Sequence, residues 1–145
     1  SIRRRQRQMC IRDRYLGKLR CNNVHLKSGA QLITDAPIDN QGMGSSYSPT
    51  DLTALSLTTC IITTIAIYSD YKKIDILSIE GTTTKKMSNT PPRRIDSIDV
   101  TIHVKLPVYS EERVKTGIER AAHACPVSKS LHPEINQNVV VNFIQ

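Results

Sequence analysis

The twenty residues LTALSLTTCIITTIAIYSDY, 52 to 71, contain neither glycine nor proline. Their threonine and isoleucine content favours a strand. Their length is about twice that of an ordinary strand. The residues just before them decide the conflict. In Ser48-Pro49-Thr50-Asp51, Ser48 can cap a helix, Pro49 suits its first turn, and Asp51 stands where a capping box needs an acid. The pattern predicts a helix from 49 to about 70. Apolar residues fall on every side of it, as in a helix buried centrally rather than laid on a surface. Its β-branched residues make it a poor isolated helix, so it must depend on packing. A single chain of this size covers only part of such a helix, which predicts an obligate homodimer. No apolar run reads as long enough to span a bilayer, and no membrane partner is expected.

The rest of the chain supplies sheets and shorter helices. Residues 15 to 21 and 24 to 34 read as two short strands. The Gly-, Pro-, Asn- and Ser-rich stretch from 35 to 49 reads as a loop. Residues 74 to 87 and 94 to 106 form a predicted hairpin around SNTPPRR. In its second strand Ile98, Val100, Ile102, Val104 and Leu106 alternate with polar residues, so one face is buried. Pro107 ends that strand. Ser110 is the expected cap of a helix whose first turn holds Glu111 and Glu112, which suits the helix dipole. Val114, Ile118, Ala121 and Cys125 share one face of it. A last strand, NVVVNFI, closes the chain. The class is mixed, α/β (α+β), with one domain from 15 to 145 and no internal repeat.

The formal charge of +7 points at first to nucleic acid. It is concentrated in residues 1 to 14, SIRRRQRQMCIRDR, which hold six of the twenty basic residues and one of the thirteen acidic ones. What remains is fourteen against twelve, nearly neutral, and no nucleic-acid partner is expected. From Arg4 to Asp13 the segment resembles the conceptual translation of a sequencing-library adapter. Residues 1 to 14 are therefore expected to be a disordered, artefactual basic tail, dispensable for folding. Setting Cys10 aside with that tail leaves Cys21, Cys60 and Cys125. An odd number of thiols favours a reducing compartment, here taken as the cytoplasm, over a disulfide scaffold.

The segment HACPVSKSLHP, 123 to 133, carries the chemistry. The residue before a proline avoids the α conformation, so the helix should end near Ala124. Pro126 should open a new short turn, VSKSL, with Cys125 at its N-cap. Backbone N–H groups there favour a thiolate and lower a thiol pKa. The plainer alternative is a core cysteine packed with Val114 and Ile118. Cys60, mid-helix, taken alone also reads as core.

Together, SPTDLTALSLTTC and HACPVSKSLHP resemble the two cysteine motifs of the OsmC/Ohr family of thiol peroxidases, in its general OsmC-like branch. The order of elements from 15 to 145 matches as well. The resemblance implies an intertwined homodimer with cysteine-bearing helices packed between antiparallel sheets. It implies that Cys60 is the thiolate that attacks a hydroperoxide, and that Cys125 resolves the resulting sulfenic acid to a disulfide. An external dithiol then reduces that bond, and no cofactor takes part. It implies an arginine that holds the thiolate and the peroxide; Arg20, in GKLRC, is the match, with an ordinary strand-end arginine as the alternative. The family's well-studied groups carry a glutamate one residue after the helix-opening proline, and here that residue is Thr50. Asp51 follows it, with capping as its expected role. The alternative function is an OsmC-fold stress-response or binding protein with little peroxide turnover.

Other residues rank lower. His123, Cys125 and His132 match no common zinc spacing, and no metal is expected. His132 reads as a turn residue and His25 as surface. Cys21 reads as a strand residue beside Arg20. Lys72-Lys73, Lys85-Lys86 and Arg93-Arg94 read as solvated ends.

Overall fold

The computed structural model describes residues 10–145. The chain divides into two compact units, the first ending at Leu52 and the second running Thr53–Gln145. The first is a three-stranded antiparallel sheet in the order β1 (Ile11–Gly17), β2 (Arg20–His25), β3 (Gln31–Asp35). Two tight turns make three strands of the expected two. Lys18 and Leu19 both have positive φ, 55° and 64°, and close the first hairpin; Gly29, at φ 76°, lies in the second turn. Irregular chain with a single 3₁₀ turn at Ile38–Asn40 leads on to Ser48.

The expectation of a disordered tail over 1 to 14 is corrected at its end. Ile11, Arg12, Asp13 and Arg14 pair with His25, Val24, Asn23 and Asn22. A lack of buried side chains argued for disorder, and every residue from Ile11 to Leu16 is indeed exposed. An edge strand, however, is held by its backbone ladder and needs no buried face. The remainder of that predicted tail, residues 1–9, lies outside the described residues.

Helix α1 (Pro49–Lys72) begins as the sequence predicts. The Ser48 N–H donates to Asp51 Oδ2 at 2.9 Å, and the Asp51 N–H donates to Ser48 Oγ at 3.1 Å, a reciprocal capping box. With 24 residues and a mean hydropathy of 1.6 in its most apolar window, α1 is long and apolar enough to cross a bilayer, contrary to the sequence expectation. Its threonines and serines had masked that length. Ala54, Leu57, Ile61 and Ile65 are buried in one cluster with Ile98, Val100, Ile102 and Val104, so the helix serves as a core element of the second unit.

That unit holds a second sheet in the order β4 (Ser78–Met87), β5 (Ile95–Lys105), β6 (Asn136–Ile144). The β4–β5 pair is the predicted hairpin, starting four residues later than expected. Residues of β5 alternate as anticipated, with Ile98, Val100, Ile102 and Val104 fully buried. The expectation of antiparallel sheets fails at β6, which runs parallel to β5. A parallel neighbour requires a crossover, and α2 (Glu112–Ala122) with α3 (Pro126–Ser130) supplies it. Glu111, not Ser110, is the N-cap of α2. The Ser110 N–H turns back to the Pro107 carbonyl at 3.0 Å, so Ser110 closes the turn before the helix instead of opening it. Gly81 lets α1 approach β4: a Cβ there would lie 2.7 Å from Thr58 Cγ2 and 3.1 Å from both Ile62 and Ile102.

Candidate active site

The second unit brings Cys60 and Cys125 together. Cys60 lies on the partly buried flank of α1, packed against the core. Cys125 is fully buried and belongs to the core cluster with Ile118. Its thiol lies near enough to the Cys60 thiol for Cys60 to push the Cys125 pKa upward. Both are free thiols.

Cys125 occupies the predicted cap. α2 stops at Ala122, the Ala124 N–H reaches back to the Ala121 carbonyl, and Cys125 takes extended geometry at φ −75°, ψ 134°. Pro126 then opens α3, and the Ser128 N–H donates to Cys125 Sγ at 3.3 Å. The expectation that this cap lowers the Cys125 pKa is corrected. Burial pushes its pKa up and outweighs the backbone N–H groups of Ser128 and Val127; Cys60 beside it pushes in the same direction. The core reading and the cap reading are thus both right about place. The core wins on acidity, because five residues of helix give fewer aligned dipoles than the desolvation costs.

Sequence reasoning missed the clamp on that cap. Gln137, on β6, receives the Ser128 hydroxyl on Oε1 and donates from Nε2 to the Ser128 carbonyl at 3.1 Å. This two-way bond ties the first turn of α3 to the sheet. No pattern in the sequence marks it, since the pairing depends on the parallel placement of β6.

Arg20 belongs to the first unit, where it opens β2 directly after the left-handed Lys18-Leu19 turn. Its register partner is Asp35, the last residue of β3. Asp35 is buried, with 1% of its surface exposed. It accepts the Ser45 N–H at 3.0 Å and the Ser45 hydroxyl on Oδ2. These bonds, led by the hydroxyl, hold its carboxyl below the usual range, and the Arg20 charge adds to the effect. Asp35 had been read as part of a loop. The Ser28-Gly29 turn was the available signal: splitting the strands there and counting back sets Asp35 opposite Arg20.

The remaining candidates have local roles. His132 Nδ1 accepts the Glu134 N–H at 3.1 Å in a turn, as read from the sequence. His25 Nδ1 meets Ser28 Oγ at 2.6 Å. His123 is the C-cap of α2. Cys21 sits within β2 opposite Tyr15 and Thr34. Two of the basic pairs do more than end elements: Lys86 pairs with Asp99 at 3.3 Å, and Arg94 Nη1 donates to the carbonyls of Thr90 and Pro92.

The family model for OsmC-like protein matches residues 42–140, a span that includes both cysteine motifs. A solved structure from Psychrobacter arcticus, described provisionally as an osmotic stress induced and detoxification response protein, is 38% identical. It covers 91% of this chain and 94% of its own, with a TM-score of 0.82. The chain belongs to the OsmC family. An organic hydroperoxide resistance protein OsmC from Legionella pneumophila shares the fold at 16% identity, with a TM-score of 0.70 over 93% of this chain and 96% of its own. One from Elizabethkingia anophelis does so at 17% identity, with a TM-score of 0.70 over 94% and 96%. A search of curated proteins returned no match. The OsmC match begins after Arg20 and Asp35, so it bears on the two thiols and leaves the arginine to be argued on its own.

Proposed function

We propose that this OsmC-family chain acts in peroxide stress as a cysteine-based peroxidase that reduces hydroperoxides without a cofactor. The observation that carries this reading is the pair of free thiols, Cys60 and Cys125, held as neighbours, with Cys125 Sγ accepting the Ser128 N–H as the cap of α3. The hydroperoxide resistance named for the Legionella and Elizabethkingia relatives supports the substrate class.

The Cys60 thiolate attacks the distal peroxide oxygen, the O–O bond breaks, and the alcohol or water leaves as Cys60 becomes a sulfenic acid. Cys125 attacks that sulfur, water leaves, and a disulfide forms. An external dithiol reduces the disulfide and restores both thiols. A Cys125 whose proton is held by burial suits the second role, that of the thiol that does not meet the peroxide first. Arg20 is the candidate to stabilise that thiolate. The working unit is a homodimer, supported by the apolar residues Tyr15, Leu16, Leu19, Leu26 and Ile33, which the first sheet leaves exposed. The four cysteines, all free thiols, support a reducing, cytoplasmic setting.

Thr50 favours the second reading, a stress-response or binding protein with little turnover, since a hydroxyl cannot supply the carboxylate of the family's glutamate. One experiment separates the two. Protein, dithiol and either hydrogen peroxide or an organic hydroperoxide are mixed, and peroxide loss is followed. Turnover that disappears in Cys60→Ser supports the peroxidase; thiols that stay reduced in excess peroxide support the binding protein.

A further inference from the structure

The second unit sets one polar side chain in an apolar row. Strand β6 alternates, and its half-buried positions are Gln137, Val139, Val141 and Phe143. Gln137 stands in register with Ile98, and Val139 with Val100, both fully buried. A polar group in such a row costs free energy unless it is hydrogen-bonded. Both ends of the Gln137 amide are used on one residue. Its Oε1 receives the Ser128 hydroxyl, and its Nε2 donates to the Ser128 carbonyl at 3.1 Å. Ser128 is in turn the residue whose N–H donates to Cys125 Sγ at 3.3 Å. Helix α3, to which Ser128 belongs, has five residues. A helix that short does not hold its geometry alone. Val127 and Leu131 pack against the core and help to seat it. Gln137 grips, from the sheet, the residue that sits on the sulfur.

We infer that Gln137 is a positioning residue for Cys125. By holding Ser128 through both its hydroxyl and its carbonyl, it keeps the Ser128 N–H on Sγ and the thiol in its place beside Cys60. Cys125 is fully buried, so it meets an oxidised Cys60 sulfur from the place where α3 holds it. In that step Cys125 gives up its proton and its sulfur bonds the Cys60 sulfur. The S–O bond of the sulfenic acid breaks, and water leaves. The clamp thus acts on the second step and not on the attack of Cys60 on the peroxide. Its part in peroxide reduction rests on the proposed peroxidase reading; its hold on Cys125 does not.

The test has one arm without peroxide and one with it. In a parent protein carrying Cys10→Ser and Cys21→Ser, the reduced thiols are mixed with an aromatic disulfide reagent, and the released aryl thiolate is followed. Cys60 attacks the reagent, a mixed disulfide forms and one thiolate leaves. Cys125 then attacks the mixed disulfide, the Cys60–Cys125 bond forms and a second thiolate leaves. Gln137→Met keeps the length of the side chain and loses both bonds. It should leave the first release within about twofold of the parent and slow the second by ~10-fold or more. Gln137→Glu, which keeps an acceptor for the Ser128 hydroxyl, should fall between the two. A second release as fast in Gln137→Met as in the parent overturns the inference. Equal slowing of both releases, with a lower melting temperature, means that Gln137 serves stability alone and overturns it too. In the other arm one equivalent of hydroperoxide replaces the reagent, and Gln137→Met should accumulate a Cys60 sulfenic acid that the parent converts to disulfide. A parent that consumes no peroxide, with a second release that still depends on Gln137, upholds the clamp while sinking the peroxidase reading.

Discussion

In the unit from Thr53 to Gln145 the fully buried side chains are mostly apolar: Leu57, Ile61, Ile65, Ile98, Val100, Ile102, Val104 and Ile118. In the unit ending at Leu52, among the described residues, the buried side chains are Thr34, Asp35 and Ser48, all polar, while Tyr15, Leu16, Leu19 and Ile33 face outward. One unit has a hydrophobic core, with Cys125 inside it and Cys60 packed against it. The other is a small sheet held by backbone ladders, a capping box and a buried carboxylate. A sheet of three strands without an apolar core has little stability of its own. The thiols are therefore set in the rigid part of the chain, and the arginine in the part that relies most on polar fixing and on whatever covers its apolar face.

Truncation in each unit gives the largest contrast. Ile98→Ala should cost about 2–5 kcal/mol in chemical denaturation, the usual loss for a fully buried isoleucine. Ile33→Ala, on an exposed site, should cost less than about 0.5 kcal/mol. An Ile33→Ala loss that grows on dilution would instead mark the first sheet as covered by a second protomer. Loss at Ile33 equal to that at Ile98 and independent of concentration would break the comparison.

The two units should also differ in their response to pH. Burial raises the Cys125 pKa, so the folded state holds that proton more tightly than the unfolded state. Its contribution is full below the ordinary cysteine range and is lost as pH climbs through the folded value. Asp35 is lowered, chiefly by the Ser45 hydroxyl. Its contribution is present above the ordinary aspartate value of 3.8 and is lost as pH falls through the folded value. Melting curves across pH should show a flatter alkaline limb in reduced Cys125→Ser and a flatter acid limb in Asp35→Asn. A swap of the two limbs would refute the assignment. The smallest expected effect is at the strained turn. Leu19→Gly should raise stability by up to ~1 kcal/mol, because glycine adopts positive φ without a Cβ clash.

The parts of the fold that local physics determines were legible in the sequence. The capping box at Ser48 and Asp51, the alternation in β5 and the stop at Pro126 each follow from a few adjacent residues, and each stands where it was expected. What stayed hidden depends on residues far apart in the chain. The parallel pairing of β6 sets Gln137 on Ser128, and the double hairpin sets Asp35 on Arg20. The acidity of Cys125 was misjudged for the same reason: the cap is written in ACPVS, but the burial that outweighs it comes from core residues on other elements. The first four residues of β1, Ile11 to Arg14, escaped because this end of an edge strand carries no alternating apolar pattern.

The central claim is that Cys60 and Cys125 form one redox pair. It is tested most directly by treating reduced protein with one equivalent of hydroperoxide and mapping its peptides by mass spectrometry. The account predicts a disulfide between Cys60 and Cys125 within one chain. It predicts that Cys125→Ser instead leaves Cys60 as a sulfenic acid that over-oxidises in excess peroxide. Recovery of both cysteines as free thiols, or a disulfide that joins either to Cys21, would contradict it.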